Sequence, residues 1–286
     1  MKALNGTGVA LITPFNEENE VDFSSLKKVL DHTAPYVDYW VVNGTTGESA
    51  TLTGEEKQAI LDFVAEYNKG LKPIVFGIGG NNTQEVISQL EAFDLQEVDA
   101  ILSVAPYYNK PTQQGMLRHY ELIADHATKP IILYNVPSRT AVNMTADTIC
   151  QLSFHPNIIA VKEASGDLTQ SLWIKKNAAK GFLLISGEDP LTVPLISIGA
   201  VGVISVAANV VPESFCKMVN HALNNDFERA TSILMESIPL IESLFEEGNP
   251  TGAKQALELM GVCSSSVRLP LFRASDQLKE KIQSLL

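Results

Sequence analysis

With 286 residues, 45% of them hydrophobic and 19% charged, the chain has enough apolar material for a sizeable core and no low-complexity segment, which excludes a disordered protein. A formal net charge of −12, with the 21 basic residues scattered along the chain, excludes the massed cationic face that nucleic-acid binding uses. No stretch approaches the roughly 18 consecutive apolar residues of a membrane span, and the apolar part of "MKALNGTGVALITPF" is too short and too broken by Gly and Pro for a signal peptide, so a cytosolic setting is expected.

Eight short apolar runs, each bounded by Gly, Pro or Asn, recur along the first three quarters of the chain. The first is "GVALITPF", and "SSLKKVLDHTAPYV" after it carries apolar residues at helical spacing. The second, "YWVVNG", runs into "NGTTGES", residues 43 to 49. There Gly44 and Gly47 free backbone N–H groups to approach an anion, with Thr45 and Thr46 as further donors. A plain β–α turn with Ser49 or Thr53 capping the next helix fits the same residues.

The third run, "PIVFGIGG", is not a dinucleotide fingerprint, because Asn82 stands where the third glycine of G-x-G-x-x-G belongs. The fourth, "AILSVAP", ends in "PYYN", two adjacent tyrosines of which only one can face inward. The fifth, "PIILYNVP", puts Ile132 and Tyr134 on one face. Arg139 follows in the loop, where an exposed surface charge and a clamp for a substrate carboxylate both fit.

In the sixth run, "IIAVKEA", Lys162 interrupts the apolar residues near the C-terminal end. At period two, Ala160, Lys162 and Ala164 share one face, and the small alanines leave room for a long side chain. Lys72 and Lys129, by contrast, each precede a Pro that opens a strand and belong to the opposite rim. Two readings of Lys162 stand: a buried stem whose head snorkels to water or pairs with a carboxylate, and a desolvated amine available to attack a carbonyl and form a Schiff base. The seventh run, "LLISGED", carries Glu188 and Asp189, placed to meet the positive end of the next helix. The eighth is "GVISVAAN"; after Asn209 the chain reads as helices to its end.

Near-continuous apolar strands alternating with helices predict an α/β protein with parallel strands covered on both faces. The closed (β/α)8 TIM barrel fits best, with residues 1–225 forming the barrel and 226–286 a helical region packed on it. Barrel chemistry sits at the C-terminal strand ends, where none of the five histidines falls, and no H-x-H or H-E-x-x-H spacing is present. No metal and no cofactor are therefore expected. An iminium on Lys162 would serve as the electron sink. Cys150, Cys216 and Cys263 read as buried free thiols.

"GTTGE" at 44 to 48 and "YNVPSRT" through "AVKEASGD" at 134 to 167, in content and spacing, make the chain resemble the dihydrodipicolinate synthase and N-acetylneuraminate lyase family of class I aldolases over essentially its whole length. The resemblance implies that Lys162 forms a Schiff base with pyruvate and that Tyr134 acts as general acid and base, relaying protons through Thr45 and Tyr108. Tyr108 would be lent by a neighbouring subunit of a homotetramer built from two tight dimers. Thr46 and backbone groups around Ile204 would hold the pyruvate carboxylate, with Gly187 near the same pocket. Arg139 points to the branch that condenses pyruvate with L-aspartate 4-semialdehyde on the way to diaminopimelate and lysine. A sister aldolase cleaving a sugar acid would give Arg139 no carboxylate to bind, and a mere pyruvate-binding protein would not need the proton relay.

The family's lysine-inhibited members use an interface pocket that maps here to Ser49, Ala50, Asn81, Glu85 and Tyr107. Gly54 and Lys57 stand where such enzymes often carry histidines, and the Lys57 charge opposes a cationic ligand. Weak or absent lysine feedback is expected.

Overall fold

The computed structural model describes residues 4–286. Eight parallel strands close in sequence order into one barrel: β1 (Gly6–Ala10), β2 (Tyr39–Val42), β3 (Ile74–Gly77), β4 (Ala100–Val104), β5 (Ile131–Asn135), β6 (Ile158–Glu163), β7 (Leu183–Ser186) and β8 (Gly202–Ser205). Around them lie α1 (Phe23–Thr33), α2 (Gly54–Asn68), α3 (Thr83–Ala92), α4 (Gln113–His126), the short α5 (Pro137–Thr140) and α6 (Ala146–Leu152), α7 (Leu168–Asn177), α8 (Thr192–Ser197) and α9 (Pro212–Leu223). The chain then continues through α10 (Phe227–Phe245), α11 (Thr251–Leu259) and α12 (Asp276–Gln283). This is the (β/α)8 barrel with a C-terminal helical appendage that the alternating pattern predicts.

The two-residue period of the strands sorts the core into two layers. Ala10, Val41, Val75, Leu102, Ile132, Ala160, Ile185 and Ile204 pack together along the barrel axis. Their neighbours in sequence, among them Val9, Trp40, Phe76, Ile101, Leu133, Val161 and Val203, face the helices. Tyr39 fills part of the interior, and a Cβ on Gly8 would lie 2.1 Å from its ring, so the glycine makes room for it.

Side-chain caps fix the helix starts. Asp22 accepts from Ser25 N at the head of α1, and Thr53 forms a reciprocal capping box with Glu56 at the head of α2. Of the two capping candidates before α2, Thr53 therefore takes the role. Lys72 donates to the Val37 carbonyl and Lys129 to that of Gln96, both below the strands' N-terminal ends.

The strands are shorter than the apolar runs, and β1 is displaced. It starts at Gly6 and stops at Ala10, whereas the run extends to Phe15. Beyond Ala10 the Asn209 side chain substitutes for a neighbouring strand, donating to the Ala10 carbonyl at 2.8 Å and accepting from Ile12 N at 3.3 Å. All three cysteines are buried and free.

Candidate active site

Lys162 is the fifth residue of β6, in register with Tyr134 of β5 on one side and Ile185 of β7 on the other. Its face of the strand, shared with Ala160 and Ala164, points to the barrel axis. The side chain is buried, 6% exposed, and its amine sits 4.3 Å from the centre of the Tyr134 ring. No described residue forms an ion pair or hydrogen bond with that amine. The contrast with Lys254, whose amine is tied to Glu48, shows that a buried lysine in this chain can be given a carboxylate, and Lys162 is not.

Gly187, just past β7, keeps the space around the lysine. Its N–H donates to the Glu163 carbonyl at 2.8 Å, and a Cβ there would stand 2.7 Å from Ala164 Cβ and 3.1 Å from Lys162 Cε. Ile204 of β8 lies in the axial apolar layer beside these residues. The next turn is held by Asp189, whose carboxylate accepts from Val206 N at 3.1 Å and Ala207 N at 2.8 Å. Asp189 stands in the first turn of the helical segment that follows β7, as expected, but its side chain does not bond to that segment's backbone. Its carboxylate reaches the backbone after β8 instead, and burial lifts it above the ordinary aspartate range. Glu188 is also raised, by burial and by the adjacent Asp189.

The "GTTGE" segment after β2 folds as a tight 3-10 turn, Thr45–Gly47, followed by Glu48 in a left-handed conformation at φ 55°. Thr45 lines a small cavity of about 60 Å³ together with Tyr134. Thr46 is buried, and its hydroxyl accepts from Asn249 Nδ2 at 3.0 Å.

Arg139 sits in α5, directly above β5. It is exposed, pairs with no described carboxylate, and lines a larger cavity of about 530 Å³ that Thr45 also borders. The loop carrying it is anchored from below. Asn135 and Gln170 both donate to the buried Glu163 carboxylate, Asn143 bonds to each of these two amides, and Met144 N donates to Asn135 Oδ1 at 3.0 Å. Burial raises Glu163 above the ordinary glutamate range, with these hydrogen bonds opposing the shift.

The structure brings Lys162, Tyr134, Gly187 and Ile204 to one end of the barrel interior, with Thr45, Thr46 and Arg139 on the loops above. It does not bring Tyr108 there. Tyr108 is 88% exposed at φ 70°, a conformation uncommon for a non-glycine residue, while Tyr107 lines the larger cavity. Ser49, Ala50, Asn81 and Glu85 line that cavity too, as does Lys57, whose amine burial holds below the ordinary lysine range against the pull of Glu85. Gly54 faces open space. Asn249 and Lys254 went unread in the sequence, since nothing local in "NPTGAKQAL" says that these residues return to the β2 turn. Among the described residues no cluster of His, Cys, Asp and Glu could hold a metal ion, and no helix is long and apolar enough to cross a membrane.

The closed parallel barrel places a buried lysine and tyrosine at the C-terminal strand ends, where enzymes of this fold class carry their chemistry. A family model described as the dihydrodipicolinate synthetase family matches residues 3–286. The chain is 49% identical to the 4-hydroxy-tetrahydrodipicolinate synthase of Cytophaga hutchinsonii, across 99% of this chain and 96% of that protein. It superimposes on the dihydrodipicolinate synthase of Bacillus anthracis with a TM-score of 0.95 at 36% identity, covering 100% of this chain and 98% of the other. It matches a structure described as the first monomeric dihydrodipicolinate synthase variant equally well, with a TM-score of 0.95 at 32% identity and coverages of 98% and 95%. The chain belongs to the dihydrodipicolinate synthetase family, and it is a lyase.

Proposed function

We propose that the chain condenses pyruvate with L-aspartate 4-semialdehyde to give 4-hydroxy-tetrahydrodipicolinate, feeding diaminopimelate and lysine biosynthesis. The Lys162 amine adds to the pyruvate ketone and water leaves, giving an iminium that acidifies the methyl group. Loss of a methyl proton forms the enamine, which attacks the aldehyde carbon of the second substrate. The semialdehyde's own amine then adds to the iminium carbon, closing the ring and releasing Lys162. The covalent imine is the electron sink, so the scheme needs no cofactor.

The observation that carries this reading is the placement of Lys162: buried, on the axial face of β6, unpaired, with the Tyr134 ring 4.3 Å from its amine. Tyr134 is assigned the proton transfers, relayed through Thr45 and Tyr108. Thr46, the backbone around Ile204 and the space at Gly187 are assigned to the pyruvate carboxylate, and Arg139 to that of the semialdehyde. We assign the large cavity, with Ser49, Ala50, Asn81, Glu85 and Tyr107, as a regulatory pocket weakened by Lys57. The exposure of Tyr108 supports its donation across a dimer interface, within a homotetramer. Three buried free thiols fit a cytoplasmic protein.

The test is borohydride reduction with pyruvate followed by peptide mass mapping. A pyruvate-derived increment on the Lys162 peptide, absent in Lys162→Ala, is the expected result; an increment on another lysine overturns the scheme. Turnover with aspartate semialdehyde against N-acetylneuraminate separates the condensation from sugar-acid cleavage.

A further inference from the structure

The C-terminal appendage returns to the Thr45–Gly47 turn at two buried points. At the first, Asn249 Nδ2 donates to Thr46 Oγ1 at 3.0 Å. At the second, Lys254 of α11 forms an ion pair with Glu48, the residue that closes the turn, and both side chains are fully buried. The pair is satisfied on all sides. Glu48 Oε2 accepts from Arg268 N at 2.9 Å, and Lys254 donates to the Ser266 carbonyl at 2.8 Å with its amine 4.2 Å from the centre of the Phe15 ring.

Two physical points give these contacts a role beyond holding the appendage. A fully buried ion pair is weak support for stability, because apolar residues of similar volume often serve as well, and the role argued for this one is to fix the position of what it joins. What it joins here is Glu48, at φ 55°, between the turns Thr45–Gly47 and Ser49–Thr51. Such a backbone persists only where the surroundings over-determine it. The second point is the polarity of the Thr46 hydroxyl. A hydroxyl has one proton to give. Its oxygen already accepts from Asn249, and it donates to no described residue, so the proton is left for an incoming acceptor.

We propose that Asn249 and Lys254 are positioning residues: Asn249 sets Thr46 as a hydrogen-bond donor, and Lys254, through Glu48, holds the turn so that this donor meets the carboxylate of a 2-keto acid. The inference rests on the assignment of Thr46 to the pyruvate carboxylate. It adds that the seat is shaped from outside the barrel strands, by the C-terminal appendage.

The test measures the pyruvate concentration that gives half-maximal borohydride-trapped adduct, beside the KM for the semialdehyde and the melting temperature. Asn249→Ala raises the pyruvate half-saturation about ten-fold, the worth of one hydrogen bond to a charged group, and leaves the semialdehyde KM in place. Asn249→Asp, which can only accept, draws the Thr46 proton to itself and raises it further. Lys254→Met strands the Glu48 charge and loses stability; Glu48→Met/Lys254→Met recovers the melting temperature while its pyruvate half-saturation stays high. Wild-type pyruvate half-saturation in both Asn249 variants, or in the Glu48/Lys254 double variant, overturns the proposal. Absence of any adduct in the wild type overturns instead the functional assignment beneath it.

Discussion

Replacing Gly187 by alanine tests whether the space around Lys162 is as tightly set as the packing indicates. The new Cβ would lie 2.7 Å from Ala164 Cβ, short of ordinary van der Waals contact by about 0.7 Å, and 3.1 Å from both the Glu163 carbonyl and Lys162 Cε. Two of the three neighbours belong to rigid strand backbone or to a Cβ, so β6 and β7 must move apart where Gly187 N donates to Glu163 O. Overpacking of this kind costs about 1–3 kcal/mol of stability. Its effect on chemistry is larger, because moving a reacting group by about 1 Å costs on the order of a hundred-fold in rate. The assay is the rate of borohydride-trapped pyruvate adduct on Lys162, read by mass, beside the melting temperature. Ala164→Gly removes the nearest clash, so Gly187→Ala/Ala164→Gly recovers most of the lost rate. A single variant that forms adduct at the wild-type rate would refute the reasoning, and so would a double variant no better than the single one.

Arg139→Ala raises the KM for the semialdehyde by about 10- to 100-fold, the loss of a charge-assisted hydrogen-bond pair, while pyruvate adduct formation is unchanged; equal effects on both substrates would show that the loop, not the guanidinium, was damaged. Lysine at micromolar concentration leaves activity above half, and half-loss in that range contradicts the reading of Lys57. Glu56→Gln keeps the capping box but loses the Arg268 pair, costing about 1–2 kcal/mol at neutral pH once partial exposure is allowed for. Arg268 holds the Glu56 carboxyl below the ordinary glutamate range, so this contribution is present above the ordinary value and is lost as pH falls through the depressed one; a stability gap that persists at low pH is the contrary result in urea titrations. Mixing Lys162→Ala with Tyr108→Phe, each impaired alone, restores activity in hybrid oligomers if Tyr108 serves its neighbour's site, and no recovery after subunit exchange places that hydroxyl elsewhere.

The barrel was legible because its signals are local. Apolar runs bounded by turn residues mark the strands, the stretches between them carry helical spacing, and period two separates Ala160, Lys162 and Ala164 from Val161 and Glu163 without any long-range information. The adjacency of Tyr134 and Lys162 follows from strand order alone, since a closed barrel must place β5 beside β6. What the sequence hid were contacts of large sequence separation: Asn209 completing the end of β1, Asp189 crossing to the turn after β8, and Asn249 and Lys254 returning to a turn some 200 residues earlier, 203 and 206 positions away. Each is a single polar side chain meeting a loop. No periodicity can announce such a meeting, because it is decided only once the barrel has closed.

These long-range contacts share an electrostatic logic that the net charge conceals. In a chain of −12, the proposed seat for an anionic keto acid needs local carboxylates that do not repel the ligand. At the barrel mouth each buried carboxylate accepts from protein donors, with only Asp189 Oδ1 left without one among the described residues. Glu163 accepts from two amide side chains and Ser165 N, Asp189 from two backbone N–H groups, and Glu48 from Lys254 and Arg268 N. Burial lifts Glu163, Glu188 and Asp189 above their ordinary ranges, which weakens their hold on the charged form. Lys162 on the axis and Arg139 at the rim form no ion pair or hydrogen bond with a described carboxylate, and both act through space on Glu188, opposing the rise that burial imposes on it. Arg139 and the Thr46 hydroxyl thus keep donors open at the mouth of an acidic protein, and under the proposed function the substrate carboxylates meet donors that no protein acceptor has already taken.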